Sequence, residues 1–316
     1  MAGNILLLVA GFVMLFFGAD IMIKGSSSIA RKFRISDIVI GLTIVAFGTS
    51  APELIVNIIA GFKKNGEMCF GNVIGSNMFN TLLILGIAGI LMPIPVPGGT
   101  VKKEIPFSLA IILILAFLVN DRLFGRTDML SLFDGIVLLV LFSGFIYYTV
   151  KIARIDYSED VNIKTYPFFL SVILIIAGLG LLFAGGKSVV DSAVRIAKAL
   201  GVSDKLIALT IVAGGTSLPE LAASTVAAVK KRAGIAIGNI IGSNIFNLLF
   251  ILGISSVINP IRYDPLLNVD LTVVAAATLL LLAAAGIRGK KLIDRAEAAV
   301  FLIAYAAYFA FLLFRK

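Results

Sequence analysis

The sequence contains no histidine, which excludes imidazole metal sites and any histidine proton relay. Cys69 is its only cysteine, so no intrachain disulfide is possible and the redox compartment leaves no signature. Charge is equally scarce. Asp, Glu, Lys and Arg make up 14% of 316 residues, against roughly 25% in soluble domains. What fills the space is apolar: 59% of the residues are hydrophobic and the mean hydropathy is +1.07. Apolar stretches recur about every 30 residues, many of them near the ~20 residues that cross a bilayer's hydrocarbon layer. A secreted domain, a nucleic-acid binder and an ordinary cytosolic enzyme are thereby excluded, and the chain reads as an all-α polytopic membrane protein. Its net charge of +9 then reflects loop topology and contact with the lipid bilayer, not nucleic acid. The first apolar stretch lacks a basic leader and carries Asp20, so it is expected to be a retained helix, not a signal peptide.

Ten spans are expected, at 4–23, 37–62, 68–92, 104–120, 130–151, 167–192, 204–229, 235–258, 269–287 and 295–314. The longest polar connection, 152–166, divides the chain into five-helix halves, 1–151 and 167–316, and is too short for a regulatory domain. A shift of 167 residues lays 36–94 on 203–261 without a gap, with 32 of 59 positions identical. TIVAFGTSAPEL (43–54) meets TIVAGGTSLPEL (210–221), and GNVIGSNMFN (71–80) meets GNIIGSNIFN (238–247). Because five is odd, the second half enters the membrane from the opposite side. The expected architecture is two inverted-topology five-helix repeats with broken second and seventh helices, a plan common among secondary transporters. Odd-numbered loops hold 16 Lys and Arg and even-numbered loops with the C-terminus hold 10. The positive-inside rule therefore puts both termini outside.

Glu53 and Glu220 fall near the middles of the second and seventh spans. A charge there costs about 2.5–3.5 kcal/mol on insertion scales and marks an ion or substrate path. Ser50-x-x-Glu53 and Ser217-x-x-Glu220 also fit a helix-capping box, with Pro52 and Pro219 in the first turn. Capping is worth only about 1 kcal/mol and glutamine would serve, so capping alone does not account for two charges. Gly48 and Gly214–Gly215 can end one half-helix, and Ser50 and Ser217 can start the next. The carbonyls near Ala46 and Ala213 then carry partial negative charge that suits cations. Thr49, Ser50, Thr216 and Ser217 add hydroxyls, so every available ligand is a hard oxygen, favouring Ca²⁺ or Na⁺ over a soft metal. On the third and eighth spans, Asn72, Ser76 and Asn80, and Asn239, Ser243 and Asn247, each form a polar stripe with four-residue spacing. Gly71, Gly75, Gly238 and Gly242 offer small faces for close approach. Ser76, Asn80, Ser243 and Asn247 are assigned to the site. For Asn72, Asn77, Asn239 and Asn244, interhelical glue and a site role stand equal.

G-T-S-x-P-E followed by G-N-x-I-G-S-N-x-F-N, present in both halves, resembles the alpha-repeats of the calcium/cation antiporter superfamily, and within it the prokaryotic sodium/calcium exchangers. The resemblance implies Na⁺/Ca²⁺ antiport by alternating access at a midplane site, in the plasma membrane, by a monomer without a cofactor. By position, Glu53 and Glu220 would be the carboxylates shared by the two ions. Thr49 and Thr216 would lend carbonyls, as would Ala46 and Ala213 to flanking sodium sites that Ser50, Ser217, Ser76 and Ser243 complete. Asn80 and Asn247 would hold the central polar positions. Several relatives carry Asp in place of Asn247, so this site keeps two formal charges, which weakens any case for potassium co-transport. The alternative is a proton/calcium antiporter using the same glutamates as H⁺ carriers. An intramembrane enzyme lacks the necessary base. Two reversed i,i+4 pairs, Asp20 with Lys24 and Lys187 with Asp191, read as helix-end anchors.

Overall fold

The computed structural model describes residues 2–121, 127–153, 164–202, 207, 211, 213–286 and 291–315. Most of the connection 152–166 and most of the first half of the expected seventh span lie outside these residues. The helices of twelve residues or more are α1 (Ala2–Phe33), α2 (Asp37–Thr49), α3 (Ala51–Phe62), α4 (Gly66–Leu91), α5 (Glu104–Val119) and α6 (Leu132–Ile152). They continue as α7 (Phe168–Ala199), α8 (Leu218–Val229), α9 (Ala233–Ile258), α10 (Leu267–Gly286) and α11 (Arg295–Phe314). Among the described residues seven helices are long and apolar enough to cross a bilayer, and the bent pair α2–α3 makes an eighth. The expected fourth span is α5, a helix of 16 residues. Of the expected seventh, the described helical segments with more than one residue are Ala213–Gly215 and α8.

Both long helices overrun their expected ends. α1 and α7 have 32 residues each, about 48 Å at 1.5 Å per residue, well beyond a ~30 Å hydrocarbon layer. Lys24, Arg31 and Lys32, read as loop residues, sit on α1 itself. Hydropathy marks where apolar residues stop, whereas the helix continues to its cap. That cap is at Arg34 (φ 54°), where the Ile35 N–H donates to the Ala30 carbonyl at 2.8 Å. This is the closing bond of a left-handed C-terminal motif.

The long helices lie against each other through their small residues. A Cβ on Gly11 would lie 2.9 Å from the Gly185 carbonyl, one on Gly18 2.8 Å from that of Gly178, and one on Gly25 2.6 Å from that of Ser171. Register falls along α7 as it rises along α1, so the two run antiparallel. Their outer faces present Leu6, Phe16, Phe17 and Ile176 outward, as lipid-facing helices should. Asp20 pairs with Lys24 at 2.6 Å and also with Lys230, tying α1 to the end of α8. The expected counterpart, Lys187 with Asp191, forms no ion pair among the described residues, and both side chains stay exposed.

α9 is almost wholly enclosed and forms the centre of the molecule. Gly238 and Gly242 bring it against α2, where a Cβ on Gly238 would sit 2.6 Å from the Ile38 carbonyl. Gly71 and Gly75, expected to do the same for α4, meet no described atom within 4 Å and instead line a cavity of about 620 Å³. The segment that corresponds to α2 in the second half falls largely outside the described residues. Two small antiparallel ladders link the halves: Ile94–Pro95 pairs with Leu292–Ile293, and Met129–Leu130 with Ile261–Arg262.

Candidate functional site

The chain bends by 48° between α2 and α3. Pro52 stands in the first turn of α3 and has no N–H for the Gly48 carbonyl, and its ring pushes that carbonyl aside. Pro219 in the first turn of α8 does the same to Gly215. The capping residues adopt matching backbones, φ −82° and ψ 7° at Ser50 and φ −88° and ψ 8° at Ser217. The two breaks are thus copies of one local structure.

The capping boxes expected from sequence do not form. Neither serine side chain caps its own helix. Ser50 Oγ donates to Glu220 Oε1 at 2.9 Å, and Ser217 Oγ donates to Glu53 Oε1 at 3.0 Å. Each serine crosses to the glutamate of the other half. A hydroxyl bonded to a buried carboxylate is worth roughly twice one bonded to a neutral backbone group, so the glutamates win. Ser76 Oγ adds a longer bond to Glu53 Oε1, 3.4 Å. Both glutamates are buried, 0% and 1% exposed, and no lysine or arginine is paired with either among the described residues.

A second crossover joins α4 and α9. Asn77 Nδ2 donates to the Asn244 backbone carbonyl at 3.2 Å. That carbonyl only accepts, so Asn77 must turn its Oδ1 the other way, where it receives Asn247 Nδ2 at 3.0 Å. Asn80 Nδ2 likewise donates to Asn244 Oδ1 at 3.1 Å, and Asn244 Nδ2 to Thr81 Oγ1 at 2.8 Å. With their amide nitrogens committed, Asn80 and Asn247 present their oxygens. Both asparagines lie in π-helical stretches, Phe79–Ile84 and Phe246–Ile251, a local widening common at functional positions. The sequence left Asn77 and Asn244 undecided, and the structure makes them the partners that orient Asn80 and Asn247. The repeated N-x-x-N spacing was the available signal. The π-turns left none.

Thr49 Oγ1 lies 3.1 Å from both the Val45 carbonyl and Asn239 Oδ1, and its one proton serves either. Asn239 Nδ2 reaches Ser224 Oγ at 2.9 Å and the Glu220 carbonyl at 3.5 Å. In the other half, Asn72 Nδ2 reaches Asn57 Oδ1 at 2.7 Å and the Glu53 carbonyl at 3.2 Å. Asn72 and Asn239 therefore brace the glutamate-bearing helices. The Ala46 carbonyl accepts the Ser50 N–H at 3.0 Å and a longer bond from Thr49 Oγ1 at 3.4 Å. Ala213 opens the single turn that precedes Thr216.

Six buried oxygens of this constellation have no hydrogen-bond partner among the described residues: Glu53 Oε2, Glu220 Oε2, Asn80 Oδ1, Asn247 Oδ1, Thr216 Oγ1 and Ser243 Oγ. Buried polar atoms are almost always satisfied, and leaving one unsatisfied costs about 1–3 kcal/mol. Six orphans on the repeated motifs of the two halves, two of them carboxylate oxygens, are hard donors suited to a desolvated alkali or alkaline-earth cation. Among the described residues no group of three or more His, Cys, Asp or Glu gathers anywhere, so the formal charge here comes from two glutamates alone. The cavity of about 620 Å³ borders the site through Phe79 and Gly214, the neighbours in sequence of Asn80 and Ala213.

A family model described as sodium/calcium exchanger protein matches residues 3–151 and 170–314. The putative antiporter CaxA of Alkalimonas amylolytica is 40% identical over 306 residues, covering 94% of this chain and 95% of that one. The sodium/calcium exchanger MaX1 of Methanosarcina acetivorans is 30% identical, covering 98% of this chain and 99% of its own. A solved structure of the sodium-calcium exchanger NCX_Mj superposes with a TM-score of 0.84 at 34% identity, covering 98% of both chains. The chain belongs to the sodium/calcium exchanger family.

Proposed function

We propose that this protein is a secondary antiporter that exchanges Na⁺ for Ca²⁺ by alternating access at a site between the two helix breaks. The observation that carries this reading is the set of six unpartnered buried oxygens on Glu53, Glu220, Asn80, Asn247, Thr216 and Ser243. Glu53 and Glu220 supply two negative charges, enough to balance one Ca²⁺. Asn80 and Asn247 add neutral oxygens to a shell of the six to eight that calcium prefers. Ser50, Ser217, Ser76, Thr49 and the carbonyls of Ala46 and Ala213 complete flanking positions where Na⁺ would divide the same oxygens. Because the two loads need the same carboxylates, binding one displaces the other, and exchange follows from competition.

The architecture that fits this reading is two inverted repeats, 1–151 and 167–316, joined by 152–166 and making ten spans. The antiparallel register of α1 and α7 and the ladders between halves support it. In that arrangement both termini face outside the plasma membrane and one copy of the chain suffices for transport.

The test is calcium uptake into sodium-loaded proteoliposomes. Wild-type protein takes up Ca²⁺ only with the sodium gradient, and Glu53→Gln or Glu220→Gln abolishes uptake. Near-normal exchange by either variant overturns the assignment. Calcium flux driven by a pH gradient without sodium would instead select the proton-coupled alternative.

A further inference from the structure

A further buried carboxylate with an unpartnered oxygen lies outside this constellation. Glu104, in the first turn of α5, is 2% exposed. Its Oε1 accepts a hydrogen bond from the Tyr148 hydroxyl on α6, while its Oε2 is buried with no hydrogen-bond partner among the described residues. The carboxylate lines a groove of about 420 Å³ between α5 and α6, whose walls include Phe107, Val140 and Phe145 and whose rim carries Lys103. Both helices have one end here, since α5 begins at Glu104 and α6 closes at Ile152. Lys103 Nζ lies 5.9 Å from the Tyr148 ring centre and Lys151 Nζ 4.8 Å from that of Tyr147. Basic and tyrosyl side chains gathered at the end of apolar helices mark the membrane–water boundary. Val140 is 64% exposed and Tyr147 63%, so this flank faces lipid.

The groove therefore sets three chemical demands on an occupant: an N–H donor for Glu104 Oε2, an anionic group for Lys103, and an aliphatic body for the walls. A choline headgroup has no N–H, and a glycerol headgroup has no positive charge. An ethanolamine headgroup has three N–H donors on a cation next to a phosphate. We propose that the α5–α6 groove is a binding site for one ethanolamine phospholipid, its ammonium on Glu104, its phosphate at Lys103 and an acyl chain along Phe107 and Phe145.

The test is native mass spectrometry of the full chain in detergent with equimolar ethanolamine, choline and glycerol phospholipids of identical acyl chains. The wild-type protein is expected to retain the ethanolamine lipid about tenfold over the choline lipid, the usual worth of a charge-assisted hydrogen bond. Glu104→Gln is expected to erase that preference. Gly144→Leu fills the groove from a position where an added Cβ meets nothing within 4 Å, and it is expected to reduce all three lipids to background. Equal retention of the three by the wild type, or a preference that survives either substitution, overturns the proposal. So does displacement by ethanolamine lacking acyl chains, or a second copy of the chain seated there in place of lipid. Should Glu104→Gln elute as misfolded protein, Gly144→Leu alone decides.

Discussion

The crossed serine–glutamate bonds can be tested against the within-half pairing that the sequence suggested. Ser50 Oγ is 2.9 Å from Glu220 Oε1, in a fully buried setting. A hydrogen bond to a charged group is worth about 1.5–3 kcal/mol, or roughly tenfold to 150-fold in an equilibrium constant. Glu220→Asp keeps the charge but withdraws the carboxylate by one bond, about 1.5 Å. That lengthens the contact to about 4.4 Å and breaks it. A carboxylate no longer held by its serine must be reordered when it takes up a cation, so calcium affinity falls. In a double-mutant cycle measured by calorimetry of Ca²⁺ binding, Ser50→Ala and Glu220→Asp remove the same bond. The double variant should then deviate from the product of the single effects by about tenfold or more. Ser50→Ala with Glu53→Asp should multiply, within the ~0.5 kcal/mol typical of uncoupled positions. The mirror pair, Ser217 with Glu53, should couple in the same way. Coupling of Ser50 to Glu53, with additivity against Glu220, would refute the crossover and restore the capping box.

Three further outcomes follow from the packing. Gly18→Ala or Gly178→Ala puts a methyl within 2.8 Å of a carbonyl on the facing long helix. Either should cost about 1–3 kcal/mol, seen as a lower thermal unfolding midpoint in detergent, while Gly180→Ala, with no described atom within 4 Å, should not lower the midpoint, alanine being the better helix former. Asn77→Leu removes the acceptor that holds Asn247 Nδ2. It should weaken Ca²⁺ binding about tenfold by the loss of an oriented donor oxygen, and unchanged affinity would dismiss Asn77 as an orienting residue. Lys64 and Lys231 occupy left-handed backbone at φ 56° and 60°, a conformation costing a side-chain-bearing residue about 1–2 kcal/mol. Lys64→Gly should raise the thermal midpoint despite the extra freedom it gives the unfolded chain.

Much of this fold is legible because the membrane imposes it. Apolar stretches of the right length must be helices in lipid, whose backbone polar groups find partners only within the segment. The spans at 130–151, 235–258 and 295–314 accordingly land within a few residues of α6, α9 and α11. Hydropathy fails where the physics changes hands. Past the hydrocarbon layer the length of α1 is set by its C-terminal cap at Arg34, not by apolarity. The pairing of α1 with α7 depends on Gly11, Gly18 and Gly25 facing Gly185, Gly178 and Ser171. That register becomes visible only once the two helices are known to be neighbours running in opposite directions.

The site divides along the same line. Which residues carry charge and oxygen could be read from the repeat, because Glu53 and Glu220 each stand where a charge is costly and both halves keep one. Which residue serves which could not. A gapless shift of 167 positions compares each half with the other but says nothing about contacts between them, and the S-x-x-E spacing points to a capping box within each half. In three dimensions the local match loses to a distant one, since Ser50 and Ser217 each serve the opposite glutamate, and Asn247 and Asn80 are fixed by Asn77 and Asn244 of the opposite half. Neither half therefore holds its glutamate and its asparagine oxygen by its own side chains alone. An element that shifts one half against the other would disturb both crossovers together, so the bonds that hold the carboxylates in place are the same bonds any change of access must exchange.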